Sequence, residues 1–415
     1  MATGRPHTPN MGSHRRNRQR GQGMLEYSLA LGLVALVGYG VLTFLGHQTR
    51  VTLCKPSSGL ERGTGCLSAW GRNTQGQLGD GTTNQASAAE VIDSLGQVKS
   101  VATGLAHTVA VKTDGSVWAW GDNTNGQLGT GNNSASTVPV QVSGLPSAAL
   151  AVTASLNGST VLLADGTVWD WGYGTDGELG NNTAAASNVP VRVTGLAGIT
   201  AVSSGSYHTV ALDSSGRVWG WGMNTSGQLG DTTLVNRHTA VQANGSGGTG
   251  ITALCAGHYN TIVLRTDATA WVWGDNTYGQ LGNGPVGGHS AVPAAVGSLA
   301  NVKLVTAGYH YEVAETSDGT LWAWGYNVDG QLGDETTTVR STPVKVGGLS
   351  KVTALACGAY TSYAIAGDGS VWAWGLGDEG EIGNGQNTST TTPTQVSGVI
   401  NAVQIAGRDY SAFAI

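Results

Sequence analysis

Charge is scarce in this 415-residue chain: Asp, Glu, Lys and Arg together make up 11% of it, and only six residues are lysine. Low charge does not make the chain disordered, because 40% of it is hydrophobic, enough to build a core. The arginines are unevenly placed. Arg5, Arg15, Arg16, Arg18 and Arg20 stand in the first 21 residues, which contain no acid. The rest holds 15 basic against 26 acidic residues, a net charge of −11. A body of that sign repels phosphate backbones, which excludes nucleic acid as a partner.

Cysteine is sparse too, with four in the chain. Cys54 and Cys66 flank the connector "CKPSSGLERGTGC" and are candidates for a disulfide if it lies outside the cytoplasm. Cys255 and Cys357 fall in apolar strand patterns two repeats apart and read as separate buried thiols. Helical periodicity is missing after residue 65. So are a nucleophile elbow, a phosphate loop, a zinc-ligand pair and a calcium loop. No catalytic residue, metal or cofactor is expected, and the chain does not read as an enzyme.

Glycine, at 66 residues, is abundant. Much of it belongs to one recurring phrase. "WAWGDNTNGQLGTG" begins at Trp118, "WGWGMNTSGQLGDT" at Trp219 and "WAWGYNVDGQLGDE" at Trp322. The second tryptophan of the phrase is Trp70, Trp120, Trp171, Trp221, Trp273, Trp324 and Trp374, spaced by 50, 51, 50, 52, 51 and 50 residues. So regular a period means one supersecondary unit per repeat. Each unit reads as about four short strands punctuated by Gly, Asn and Asp, with hairpin signals such as Asp114-Gly115. Seven units of four strands imply an all-β, seven-bladed β-propeller; a solenoid would need distinct capping repeats. The chain ends favour closure. "NAVQIAGRDYSAFAI" is the first half of a unit, and the first unit lacks that half. The propeller is therefore expected over 66–415, its first blade completed by C-terminal strands.

These units resemble the regulator of chromosome condensation family. The shared motifs are G-x-x-H-T-x-A-L ("GSYHTVAL", Gly205–Leu212), D-G-x-V-W-x-W-G ("DGSVWAWG", Asp114–Gly121) and N-x-x-G-Q-L-G ("NTNGQLG", Asn123–Gly129). The resemblance covers about 350 residues and implies the same propeller. Kelch propellers share the period but not these motifs. Trp118 and Trp120, two apart on a strand, share a face and read as core. The G-x-x-H column runs His107, Gly158, His208, Asn260, Tyr311, Thr361 and Tyr410, with His258 and His310 offset. That is no metal set. The variable stretches after each G-Q-L-G are the expected recognition loops of one rim. Asn236, Arg237, His238 and His289 are the candidates within them. Asp170 replaces the small residue of W-x-W-G, as a rim-facing contact or as drift.

The remaining stretch, "RGQGMLEYSLALGLVALVG", precedes all of this. Residues 24–46 are apolar enough for one ~30 Å span, and the arginines before it keep the N-terminus cytoplasmic. Glu26 is costly there. The stretch resembles Flp-type pilins of tight-adherence systems. That resemblance implies cleavage by a prepilin peptidase between Gly21 and Gln22, which makes Glu26 the fifth mature residue and Tyr27 the sixth. It also implies that Glu26 pairs with the N-terminal amine of a neighbouring subunit. The expected organisation is a leader (1–21), a hydrophobic pilin-type helix (22–50), a linker (51–65) and the propeller. The expected partners are the peptidase, the inner membrane before assembly, other pilin subunits and an unknown surface ligand. The expected function is a pilin or pilin-like subunit, ending in an extracellular filament or at the cell surface, that displays the propeller for adhesion or protein or glycan binding. The alternative is a membrane-anchored propeller that binds or inhibits without assembling.

Overall fold

A computed structural model of the chain describes residues 65–245 and 248–415. These form seven antiparallel sheets of four strands each. Blade 2 is representative, with strands Val98–Thr103, His107–Lys112, Val117–Gly121 and Ser136–Gln141 in order from the axis outward. Neighbouring sheets meet through their first strands, which carry the mostly buried apolar alternation. Blade 1 is discontinuous in sequence. Leu67–Gly71 and Ala86–Ile92 pair with Ser411–Ala414, which pairs with Ile405–Arg408. Trp70 lies opposite Ala412, so both ends of the chain's repeat array share one sheet. That sheet has no unpaired internal edge, which removes a template for aggregation.

The recurring phrase is explained by how blades touch. All seven second tryptophans are fully buried. Six donate their indole N–H to the backbone carbonyl of the Gln or Glu in the preceding blade's G-Q-L-G, as Trp120 does to Gln77 at 2.7 Å and Trp171 to Gln127 at 2.8 Å. The last glycine of that motif lies under the same indole. At Gly79 φ is +81°, and a Cβ there would sit 2.6 Å from Trp120 Nε1. Glycine is required both for the left-handed backbone and for the close approach. The first tryptophan of each pair differs from expectation. Trp118 and its equivalents are half-buried on the blade's outer part, where Trp118 donates to Ser116 Oγ at 3.0 Å.

Helical structure among the described residues is limited to short 3-10 turns such as Asp93–Leu95, and no helix there is long and apolar enough to cross a membrane. The leader, the pilin-type helix and the linker up to residue 64 lie outside the described residues, and with them Gly21, Gln22, Glu26, Tyr27 and Cys54. Cys66 is disulfide-bonded. Cys255 and Cys357 are both buried. Burial pushes the Cys255 thiol up to about 12, so it stays protonated and inert.

Candidate functional site

Strands alternate in direction, so the loop from first to second strand and the loop from third to fourth strand emerge at the same end of the ring. The expected recognition stretches belong to the latter loops, but their backbone has a structural task. Each crosses to the outermost strand of the next blade. Gly81 donates to Thr137 O, Asn182 to His238 O and Gly385 to Ser87 O, and seven such bonds of 2.7–3.2 Å strap the ring around its outside.

The candidates in these loops follow suit. Asn236 donates to Asp176 of the preceding blade at 3.0 Å and accepts from the Asn224 amide. Arg237 is paired with Asp231 at 2.5 Å. His238 has Nδ1 3.0 Å from Thr183 O. His289 is exposed at the start of an outer strand. Asp170 does not face the rim. It is buried on a third strand, and Trp221 of the next blade donates its indole N–H to Oδ2 at 2.8 Å. Burial pushes this carboxyl up to about 8, so it is neutral in the fold.

The histidine column holds two imidazoles, both in the core. His107 Nε2 lies 3.0 Å from Ser159 Oγ, and His208 Nε2 lies 3.2 Å from Thr261 Oγ1. Burial lowers their pKa to about 4 and about 3. Among the described residues no three His, Cys, Asp or Glu side chains group to hold a metal. One position of that column needs correction. Ser411, not Tyr410, occupies it in blade 1, because Ser411 lies opposite Gly71 as His107 lies opposite Gly121.

That one-residue shift exposes a second column, the residue just before: Ala106, Asn157, Tyr207, Tyr259, His310, Tyr360 and Tyr410. Five of the seven are aromatic, and all sit in the loop from first to second strand, nearest the axis. Together with neighbouring loop residues they form an arc of rings, every one half-buried. Tyr207 stacks on Tyr259 with centroids 6.0 Å apart. His258 lies between Tyr259 and Tyr309, at 4.0 and 4.3 Å. Tyr309 meets Tyr360 at 5.8 Å, and Tyr360 meets Tyr326 at 5.6 Å. Tyr278 joins Tyr326 at 4.8 Å and His310 at 5.1 Å. Eight rings from blades 4 to 7 are thus in continuous contact.

The arc is held from below. Six inter-blade backbone bonds of 3.0–3.3 Å circle the channel mouth through the loops of this column, from Leu105 N to Leu156 O on to Ala359 N to Asp409 O. The buried Arg408 crosses the channel to the carbonyl oxygens of Ala154 (3.1 Å) and Ser204 (2.6 Å). Tyr309 donates its hydroxyl to Asp409. Burial drives the Tyr309 phenol well above its usual range, so it stays protonated as the donor. Burial, with His310 and Arg408 adding, holds His258 down to about 3, so this ring is an uncharged platform.

The same end is acidic. Its first-to-second and third-to-fourth strand loops contain twelve Asp or Glu and one Arg, Arg72. Two of the acids, Glu178 and Glu381, are buried and stand where five other repeats have Gln; burial pushes both up to about 7.

Seven tryptophan-packed blades, closed by the C-terminal strands and carrying an aromatic end, define a closed β-propeller. The RCC1-like domain family matches residues 66–413, and the chain belongs to that family. Ultraviolet-B receptor UVR8 of Arabidopsis thaliana is 30% identical over 273 residues, 64% of this chain and 62% of the receptor. The E3 ubiquitin-protein ligase HERC2 of Homo sapiens is 32% identical over 276 residues, 65% of this chain but 5% of the ligase. The chain thus spans less than two thirds of these relatives. Among solved structures, Prp20p of Saccharomyces cerevisiae superposes with a TM-score of 0.77 at 22% identity, covering 85% of this chain and 91% of Prp20p. Human WBSCR16 does so with a TM-score of 0.77 at 20% identity, over 84% of this chain and 99% of that one. Both show the fold. The Prp20p structure was described with its binding to Gsp1p and histones.

Proposed function

We propose that this chain is a surface-exposed, pilin-like display subunit, and that its propeller is a non-enzymatic binding module working through the aromatic arc. The delivery half of this reading rests on the sequence around Gly21 and Gln22, the Glu26-Tyr27 spacing and the arginine-rich leader. Cleavage before Gln22 would free an α-amine that pairs with Glu26 of a neighbour and offsets the cost of a carboxylate in an apolar helix bundle.

The binding half rests on one observation. Eight rings stand half-exposed in contact at the end of a rigid ring, on loops whose backbone forms equally well with small side chains. Aromatic side chains carry large contact area at little conformational entropy, which suits a binding surface. The protein binding recorded for the Prp20p relative agrees with this role. Mass spectrometry of the mature chain tests delivery: a start at Gln22 is expected, and an intact Met1 or Ala2 would overturn it. In that event the second reading, a membrane-anchored propeller that binds or inhibits without assembling, takes its place. It is favoured by the length of the apolar run over 24–46.

A further inference from the structure

Arg72 shows how this end of the ring holds a cation. Its guanidinium carbon lies 4.0 Å from the centroid of the Tyr410 ring. It also donates two hydrogen bonds to the Glu379 carboxylate, that from Nη2 being 2.6 Å long. An aromatic face below and a carboxylate at the edge combine cation–π attraction with a forked, charge-assisted bond.

The same ingredients recur beside it with no cation in place. Tyr326 and Tyr360 stand 5.6 Å apart. Asp329 adds to the burial that raises both phenols, Tyr360 to about 12. Burial, then repulsion from Asp378, raises Asp329 as well. Among the described residues no Lys or Arg lies within ion-pair range of Asp329 or Asp378; the other arginines flanking this end, Arg237 and Arg340, are paired with Asp231 and Asp334.

The geometry points to a protein segment bearing arginine side chains as the occupant of this end, with one guanidinium received by Tyr326, Tyr360, Asp329 and Asp378. The inference rests on the reading of the arc as the binding surface and adds the chemistry of what binds. Arginine fits better than lysine because a planar guanidinium stacks on a ring while its edge bonds a carboxylate. A second copy offering the same end is disfavoured, since it would bring a like-charged set of carboxylates against this one. A neutral glycan would use the rings but leave the crowded carboxylates uncompensated.

The test uses the full chain in detergent and fluorescein-labelled peptides of alternating Gly and Arg, Gly and Lys, Gly and Ser, or Gly and Glu, read by anisotropy. The arginine peptide is expected to bind tightest, and its affinity to fall as salt shortens the range of attraction. The Asp329→Asn/Asp378→Asn variant and Tyr360→Ala should each weaken it by roughly tenfold. Asn125→Ala, at the same end on blade 2, should not change it. Equal binding of the serine or glutamate peptide overturns the inference. So does equal binding of the lysine peptide, or arginine-peptide binding that no arc variant alters. Circular dichroism of each variant separates lost binding from lost folding. Cleavage after Gly21 does not enter this readout. An uncut chain that binds keeps the arginine inference, and a cut chain that does not bind keeps the display reading.

Discussion

Blades 2 and 3 and blades 5 to 7 build the same loop from different side chains. At the channel mouth the former place Leu105-Ala106 and Leu156-Asn157, and the latter His258-Tyr259, Tyr309-His310 and Ala359-Tyr360. The backbone does not register the change. Asp122 N donates to Ala106 O at 2.8 Å, and Tyr326 N donates to His310 O at 2.8 Å. A loop that closes equally well over alanine and over a stack of rings does not need the rings to fold. Their concentration on one side of the ring is therefore a property of the surface, whereas the tryptophans and G-Q-L-G glycines, present all the way round, are the property of the scaffold.

The comparison can be broken most severely at the scaffold. Trp171→Ala, in blade 3 but away from the arc, should cost about 3–5 kcal/mol in chemical denaturation, through lost burial and the cavity left against Gly129. An equivalent cost from Tyr360→Ala would show that the arc is core after all.

Next is Asp170, whose folded pKa of about 8 stands far above its unfolded value of 3.8. Between those values the folded state keeps a proton the unfolded state has lost, so stability falls as pH rises from about 4 to about 8. Asp170→Asn should flatten that decline and add on the order of 2 kcal/mol at pH 7. An unchanged pH profile of the denaturation midpoint would refute the buried neutral acid. Tyr309→Phe leaves the buried Asp409 without its hydroxyl donor and should cost about 1–3 kcal/mol. Smallest of all, Ala106→Tyr, which extends the aromatic column into blade 2, should change stability by no more than about 0.5 kcal/mol. A larger loss would mean that blades 2 and 3 exclude aromatics for steric reasons.

Much of the scaffold is legible in the sequence. The 50-residue period, the half-repeat at the C-terminus and the W-x-W-G…G-Q-L-G pairing all reflect contacts made seven times over, and repetition makes a local rule visible. The arc is not legible in the same way. Its residues occupy a column that varies, and a one-residue offset at Tyr410 hides that five of seven members are aromatic. Aligning that column on Gly71 and Ser411 is the signal that would have found it. Asp170 illustrates the opposite failure. Strand alternation says that it points away from the Trp169 and Trp171 side chains, but not that the indole of Trp221 from the next blade will meet it there.

By itself the sequence determined the repeat, the number of blades and the acidic sign of the body, because these depend on period and composition. Tertiary structure alone decided which variable residues matter. Wrapping seven units into a ring strapped the variable outer loops to their neighbours. It also brought side chains some 50 residues apart in the chain into one continuous aromatic, carboxylate-edged surface at the axis.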